Sequence, residues 1–586
     1  MDPNAEDRSP SVEVVEIDVE ARSEPIVNSE KYSDSQAASP SAVDPTRGRA
    51  STGPNDNDQH NSPPAFQAPM ASSIFRTALG QPPLVQTINS PLHSERSERR
   101  NEDPEKLKQW QEEEFQRRLR GEYEQAQRRV GEVVSENMDR LLRLSSIRLS
   151  PPPKTTRPGF LNSALSPFIS SSSSFLPSFF HRAPPPPQNL HEILLSTKSL
   201  VTYLNEFGIY DMDRVGVRFE TKRGGDPDEI EMVLSLKEKG RLFLKAGTEV
   251  GGGEGGGNVT ARIRNIFGGG ESLEGNASIG TKTKSAYQAS LTTPLFASPL
   301  LSFGISGFSL DRDNSAFASH RERTQGARVK LSGIFPWGTH DLQYELVNRA
   351  IEHLTPNASV SVRELAIPST KSSISHTWTS DTRDDLWMGT KGRLLKFTHE
   401  YAGLPGSSEK AHFFKSTTMS QLSRALYSGS NIHYSITSLT TLLMPLYRRQ
   451  LGSTYLPDRT YLGGPNSIRG WAVGGLGRRD GPDSLGGDLS WALGLSVFSP
   501  IPKKDHWPLK LHAFINGGKV AAYDQARSFT DNMTKLYNSP NLSVGLGLMY
   551  RLEPIRIEVN FSMPLIGRKG ERTSRGLGVG VGIEFL

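Results

Sequence analysis

The chain has 586 residues, 35% of them hydrophobic, a formal charge of +5 and no cysteine, with a mean hydropathy of −0.47. These values exclude disulfides, thiolate metal sites and cysteine nucleophiles, and no window approaches the roughly 18 apolar residues of a membrane helix. The basic residues are mixed with acidic ones and nowhere clustered with aromatics, so nucleic acid is not expected as a partner.

Residues 1–103 are rich in Ser, Pro, Asp, Asn and Gln, and residues 1–60 hold 13 Asp and Glu against 5 Lys and Arg. Such a segment cannot bury enough apolar surface to offset chain entropy and is expected to be a disordered acidic tail. Its start lacks the basic and apolar stretches of a signal peptide and is too acidic for a mitochondrial presequence. Over 104–144, Trp110, Phe115, Leu119, Tyr123, Ala126, Val130 and Val133 recur every three to five residues between Glu, Arg and Gln, with Leu141 further on. That predicts an amphipathic helix, docked on its own domain or partner, lying on a membrane, or forming a coiled coil.

Residues 145–240 read as one small α/β domain. Ser145–Leu149 predicts a strand, Thr156–Ile169 a helix, and Ser170–Pro187 is a Ser/Pro-rich insert. A helix follows over Leu190–Phe207, then strands over Val215–Lys222 and Glu229–Lys239. From 241 to 586 nearly everything alternates. In Arg556–Leu565, Ile557, Val559, Phe561 and Met563 oppose Arg556, Glu558, Asn560 and Ser562, and in Leu577–Phe585 apolar residues alternate with glycine. Turn signals divide the region into about sixteen strands, starting near Arg241, Val259, Ser272, Ala286, Leu300, Ala327, His340, Lys371, Gly392, Ala411, Asn431, Gly487, Leu509, Asn541, Pro554 and Gly576. A soluble sandwich of that size needs two cores. A membrane barrel needs an apolar outer face and closed edges, which suits low hydropathy, so the pattern favours an all-β transmembrane barrel of about sixteen antiparallel strands.

Several chemical patterns fail on context. Gly251–Gly257 lacks the Gly-Lys-Ser/Thr of a phosphate loop and is expected to be a flexible hairpin tip. The glycines of 576–582 precede no helix. Asp381, Asp384 and Asp385 suit a barrel rim better than a cation site. The 13 histidines show no metal spacing, and no cofactor is expected.

One loop stands apart: Tyr461–Asp480, YLGGPNSIRGWAVGGLGRRD. Its core, Ile468, Arg469, Gly470 and Trp471, resembles the inward-folding loop of the outer-membrane β-barrel assembly superfamily. The likeness extends through Arg241–Thr293, Ser375–Gly403, Lys510–Gly518 and the C-terminal IRIEVNFSMPL and GLGVGVGIEFL. Together these segments resemble the channel subunits of the mitochondrial sorting and assembly machinery. The resemblance implies that the small domain is POTRA-like and that the Arg469 loop folds into the lumen. There Arg469 meets a wall motif at Phe514, Asn516 and Gly518. Asn516 stands where the family has an acid, so a charge-assisted hydrogen bond is expected rather than an ion pair.

Closing the barrel brings the first strand (Leu242, Leu244, Ala246, Val250) against the last (Gly576, Gly578, Gly580, Gly582). Glycine weakens a strand, and an unpaired edge templates another strand; the glycines also serve curvature. By resemblance this seam accepts the C-terminal strand of client barrels. The expected function is insertion and folding of β-barrel precursors in the mitochondrial outer membrane, with no bond made or broken. The implied partners are the precursors, outer-membrane lipid and accessory subunits of an assembly complex. The domain is expected to face the intermembrane space, and the low-complexity tail points to a fungal source. The alternative is a passive or polypeptide-conducting pore; a soluble adaptor is a more distant one.

Overall fold

The computed structural model describes residues 135–169 and 187–582 except 213–214, 222–223, 225, 227, 252–253, 386–388, 428, 447–453, 505–506 and 553–554; before 135 it describes only Glu112 and Glu132. The acidic tail, most of the helix expected over 104–144 and the insert after Ser170 lie outside the described residues.

The small domain opens with β1 (Arg143–Leu149), two residues earlier than expected, because Leu144 and Ile147 are both buried in it. Arg143 and Leu144 therefore belong to a sheet and not to the preceding helix. Next come α1 (Pro158–Leu165) and α2 (Leu190–Glu206). The Asn189 side chain starts α2 by accepting from the Glu192 backbone N–H at 2.8 Å, one of the donors a helix start leaves orphaned. Leu190, Ile193, Leu200, Tyr203 and Leu204 form its buried face. Strands β2 (Gly216–Thr221) and β3 (Glu229–Ser235) complete the unit, with β3 central, parallel to β1 and antiparallel to β2.

Sixteen strands then form one antiparallel sheet. They are β4 (Leu242–Gly251), β5 (Glu254–Arg264), β6 (Ser272–Gly280), β7 (Thr283–Pro294), β8 (Leu301–Asp313), β9 (Arg321–Phe335), β10 (Gly338–Glu352), β11 (Ser369–Asp381), β12 (Gly392–Ala402), β13 (Phe413–Ala425) and β14 (His433–Pro445). A small hairpin within a long loop, β15 (Arg478–Asp480) and β16 (Asp483–Gly486), precedes β17 (Leu489–Pro500), β18 (Leu509–Ala521), β19 (Asn541–Leu552), β20 (Ile555–Ile566) and β21 (Gly576–Gly582). The expected count of sixteen matches. The starts at Val259 and Ala327 fall late, since β5 begins at Glu254 and β9 at Arg321. The glycine run is not simply a tip: Gly255, Gly256 and Gly257 pair with Val250, Glu249 and Thr248. A Cβ on Gly256 would sit 2.5 Å from the Ile279 carbonyl oxygen, so its lack of a side chain permits a close ladder rather than a loose turn.

Burial in the sheet is inverted. On β20, Glu558, Asn560 and Ser562 are buried whereas Phe561 is 55% exposed, and on β21 Leu577 is 75% exposed. An apolar outer face around a polar interior is what lipid demands of a closed sheet. The sheet is a transmembrane barrel. Among the described residues no helix is long and apolar enough to cross a membrane.

An odd number of strands precedes the 446–488 loop, so it leaves the barrel at the end away from the small domain. Three short helices cap that far end: α3 (Ser315–Ala318), α4 (Val360–Leu365) and α5 (Phe529–Tyr537). Periodicity gave no sign of them, because each is short and embedded in a loop. The β15–β16 hairpin holds α4 there: Asp483 accepts from the Ser359 N–H at 2.7 Å and Asp480 from the Ser361 N–H at 3.2 Å.

Candidate functional site: the lumenal loop and the barrel seam

The wall that receives the loop is prepared by missing side chains. On β19 the lumenal positions opposite Phe514 and His512 are Gly545 and Gly547. A Cβ on Gly545 would overlap the Phe514 ring and one on Gly547 the Asn560 amide. Side chains of β18 and β20 therefore meet above β19. Glu558 accepts from Asn560 Nδ2 at 2.7 Å and from Arg556 Nε at 2.7 Å. His512 bridges Asn560 at 3.1 Å and Ser496 at 3.1 Å.

Arg469 enters this floor fully buried, at 2% exposure. Its Nη1 donates to Asn516 Oδ1 at 3.3 Å, and its guanidinium lies over the Phe514 ring at 4.8 Å. The expected hydrogen bond to Asn516 is present. The expected lack of an ion pair is not: Nη2 donates to Glu558 Oε2 at 2.7 Å and Nε to the same oxygen at 3.2 Å. The counter-charge comes from β20 rather than β18, because the bare β19 lets Glu558 reach across. A guanidinium buried without an acceptor is very costly, so Glu558 is a site residue that the motif alone does not reveal. Its signal in the sequence was an acid at a lumenal position of a membrane strand.

The remaining motif residues lock the tip. The Arg469 carbonyl accepts from Ser543 Oγ at 2.6 Å. Gly470 has φ +91 and packs on Ser543 and Pro564; a side chain there would be strained. Ile468 presses on bare Gly518, where a Cβ would overlap its Cδ1. Ile468 and Trp471 join Leu462, Leu476, Ala492 and Val520 in one buried apolar cluster. The loop backbone also pairs with the turn between β20 and β21: Ala472 N–H to Arg572 O at 3.0 Å, Arg572 N–H to Gly475 O at 3.0 Å and Ser574 N–H to Gly470 O at 2.8 Å.

The start of the loop has a second anchor, on the opposite wall. Asp458 takes Arg349 of β10 at 2.5 Å, and its carbonyl takes Lys415 of β13 at 2.8 Å. Arg349 also lies over the Tyr455 ring at 5.0 Å. A charge ladder runs on from there: Lys371 to Glu400 at 2.7 Å and to Glu345 at 3.3 Å, and Glu345 to Arg328 at 2.7 Å.

A scan for known families matches residues 265–585 to the Omp85 superfamily domain. The chain belongs to the Omp85 superfamily. Among its Omp85 relatives, a SAM50-like protein of Schizosaccharomyces pombe is 34% identical over 463 residues, 78% of this chain and 94% of that protein. The human sorting and assembly machinery component 50 homolog is 29% identical over 409 residues, 68% and 84% of the two chains. The crystal structure of Haemophilus ducreyi BamA lacking POTRA domains 1–3 shares the fold, with a TM-score of 0.60 at 18% identity over 75% of this chain and 85% of that one.

In this Omp85 barrel the first and last strands come within 8 Å at their Cα atoms, yet among the described residues no ladder joins β4 to β21. Among the described residues the expected closing pair is thus an approach without a ladder. Leu242, Leu244 and Ala246 are all exposed on β4, as are Leu577 and Val579 on β21, and Gly580 is buried. Val250, Gly576, Gly578 and Gly582 lie on these strands as expected. The three rim aspartates have other partners: Asp381 pairs with Arg383 at 2.7 Å, Asp385 with Arg551 at 2.8 Å, and Asp384 accepts from the Thr390 N–H at 2.9 Å. Among the described residues no His, Asp and Glu group is arranged to hold a metal.

Proposed function

We propose that this Omp85 protein inserts and folds β-barrel precursors in the mitochondrial outer membrane, and that it does so through the seam between β4 and β21. The observation that supports this reading is that, among the described residues, no ladder joins the neighbouring strands β4 and β21, in a barrel whose interior is locked by a buried loop. An edge strand offers a row of unpaired N–H and C=O groups to another strand. In lipid those groups must stay satisfied. A client strand that pairs with β4 as it enters the bilayer meets that demand step by step. The glycines of β21 lower the cost of leaving β4, since they add no side-chain contacts across the seam. The relatives named for sorting and assembly, and the BamA-like fold, support the same reading.

In this proposal Ile468, Arg469, Gly470 and Trp471, with Phe514, Asn516 and Gly518, keep the barrel wall next to the seam in shape while the seam exchanges partners. The domain of β1–β3, α1 and α2 acts as a POTRA-like module in the intermembrane space. Accessory subunits complete the complex, and outer-membrane lipid surrounds the barrel.

The test is import of labelled mitochondrial porin precursor into mitochondria depleted of this protein, scored as assembled complex on a native gel. Porin that crosses the outer membrane but fails to assemble, with helical outer-membrane proteins inserting normally, is the expected result. Unchanged assembly, with a large steady conductance from the purified barrel, would favour a pore instead.

A further inference from the structure

The two edges of the seam are held by different parts of the molecule. On the first-strand side, the small domain grips the two connections that face it, 265–271 between β5 and β6 and 295–300 between β7 and β8. Asn265 Nδ2 donates to Thr156 Oγ1 at 2.9 Å and to Thr155 Oγ1 at 3.3 Å, and the Arg157 N–H donates to the Gly268 carbonyl at 2.8 Å. Tyr203 of α2 donates to the Ala297 carbonyl at 2.8 Å. Arg241, just before β4, donates to the carbonyls of Asn265 at 3.2 Å and Ile266 at 2.8 Å. Glu238 fixes the domain side of this contact, accepting from the Thr155 and Thr156 N–H groups at 3.1 and 2.9 Å and from Thr156 Oγ1 at 2.7 Å.

On the last-strand side the lumenal loop is a holder. It pairs with the 567–575 turn that leads into β21, through Ala472, Gly475 and Gly470. It also reaches β21 itself, since Asn466 Nδ2 donates to the Val581 carbonyl at 3.0 Å. That carbonyl lies at the end of the described strand, seven residues beyond the turn contact at Ser574. Asn466 sits three residues before Arg469, so the side chain that holds β21 rides on the segment pinned by Glu558 and Asn516.

We propose that Asn466 is a positioning residue for the seam: it ties the last strand to the lumenal loop, so the loop sets one edge while the small domain sets the other. Opening is then a displacement of one holder relative to the other. This rests on the seam reading given above. It goes further, because it names a residue that holds the seam-side strand from the lumen in addition to its ladder with β20, and it predicts that loop and domain variants act on opposite edges.

The absence of native cysteine makes the test direct. Cysteine pairs placed at facing positions of β4 and β21 are bridged with a short thiol reagent in the full-length protein in mitochondria. Asn466→Ala and the isosteric Asn466→Asp, which cannot donate, are each expected to lower the bridged fraction relative to unbridged by about fivefold, the scale of one net hydrogen bond. Asn466→Gln, which keeps the amide, is expected to restore most of it. A control pair at Arg157 and Glu271, within the domain's own contact, is expected to be unaffected. Protease resistance of the barrel checks that each variant is folded. Seam bridging that is the same in folded Asn466→Asp as in the parent overturns the proposal. Reduced bridging with undiminished porin assembly would establish the tie and contradict the seam mechanism instead.

Discussion

Two buried arginines hold the same loop to opposite walls, and their surroundings differ. Arg469 lies in a sealed floor of Phe514, Ile468 and Trp471, sharing one carboxylate, Glu558, with Arg556. Arg349 holds Asp458 at the head of a ladder whose outer members, Lys371, Glu345 and Arg328, reach water in part, with side-chain exposures of 13%, 13% and 30%. Electrostatic interactions strengthen as water leaves, and so does the penalty for an unmatched charge. Both anchors are therefore dry, and it is the wall beyond the base anchor, where the ladder reaches water, that can yield. That suits a part which has to keep the seam-side wall in order while the rest of the barrel tolerates strain.

The comparison breaks most sharply at Glu558. Glu558→Gln removes the buried carboxylate that Arg469 and Arg556 share, and a loss of about 3–5 kcal/mol is expected, read as disappearance of the heat-resistant folded barrel on a semi-native gel. Arg469→Ala removes the loop anchor but leaves Arg556 and Glu558 matched, so a smaller loss of about 2 kcal/mol is expected. Its barrel should still fold while porin assembly falls severalfold. If Arg469→Ala proved more damaging to folding than Glu558→Gln, the shared-carboxylate account of the tip would be wrong. Asp458→Asn keeps an acceptor for Arg349 but removes the charge from a pair whose side chains are each 5% exposed, and a loss of about 2 kcal/mol is expected. The same mobility assay reads that loss.

The smallest effect lies outside the membrane. Burial opposes the charged form of Glu238, yet the Thr156 and Thr155 hydrogen bonds outweigh it and hold the carboxyl below its usual value. A group depressed in this way stabilises the folded state above its unfolded pKa and loses that contribution as pH falls through the folded value. Docking of the domain should weaken as pH falls through that depressed carboxyl value, and Glu238→Gln should remove that pH dependence. Parallel acid titrations of parent and variant, followed by protease cleavage near Arg241, would show whether the curves separate as expected.

Much of this was legible in the residues. Alternation around Ile557, Val559 and Phe561 marks strands because a membrane barrel wall has period two whatever its partners. Fourteen of the sixteen strand starts could be placed to within three residues, the exceptions being Val259 and Ala327. The Arg469 tip was legible because a whole motif travels together in a short segment. What escaped were contacts between distant strands. Glu558 lies 89 residues from Arg469 and Asp458 lies 109 from Arg349; both depend on which strands bear lumenal glycines and on the curvature of the sheet. The Asn466 contact with Val581 escaped for the same reason, since nothing local marks a side chain that bonds a strand over a hundred residues away.

The account's central claim is that client strands enter between β4 and β21. The most direct measurement places a single cysteine at Leu244 of this cysteine-free chain and another in the last strand of porin precursor, then arrests import and oxidises. A disulfide that forms early in import, disappears as porin assembles, and is absent when the cysteine is moved to Leu342 on the far wall is what the account predicts. Equal cross-linking at both positions, or none at Leu244 while porin still assembles, would contradict it.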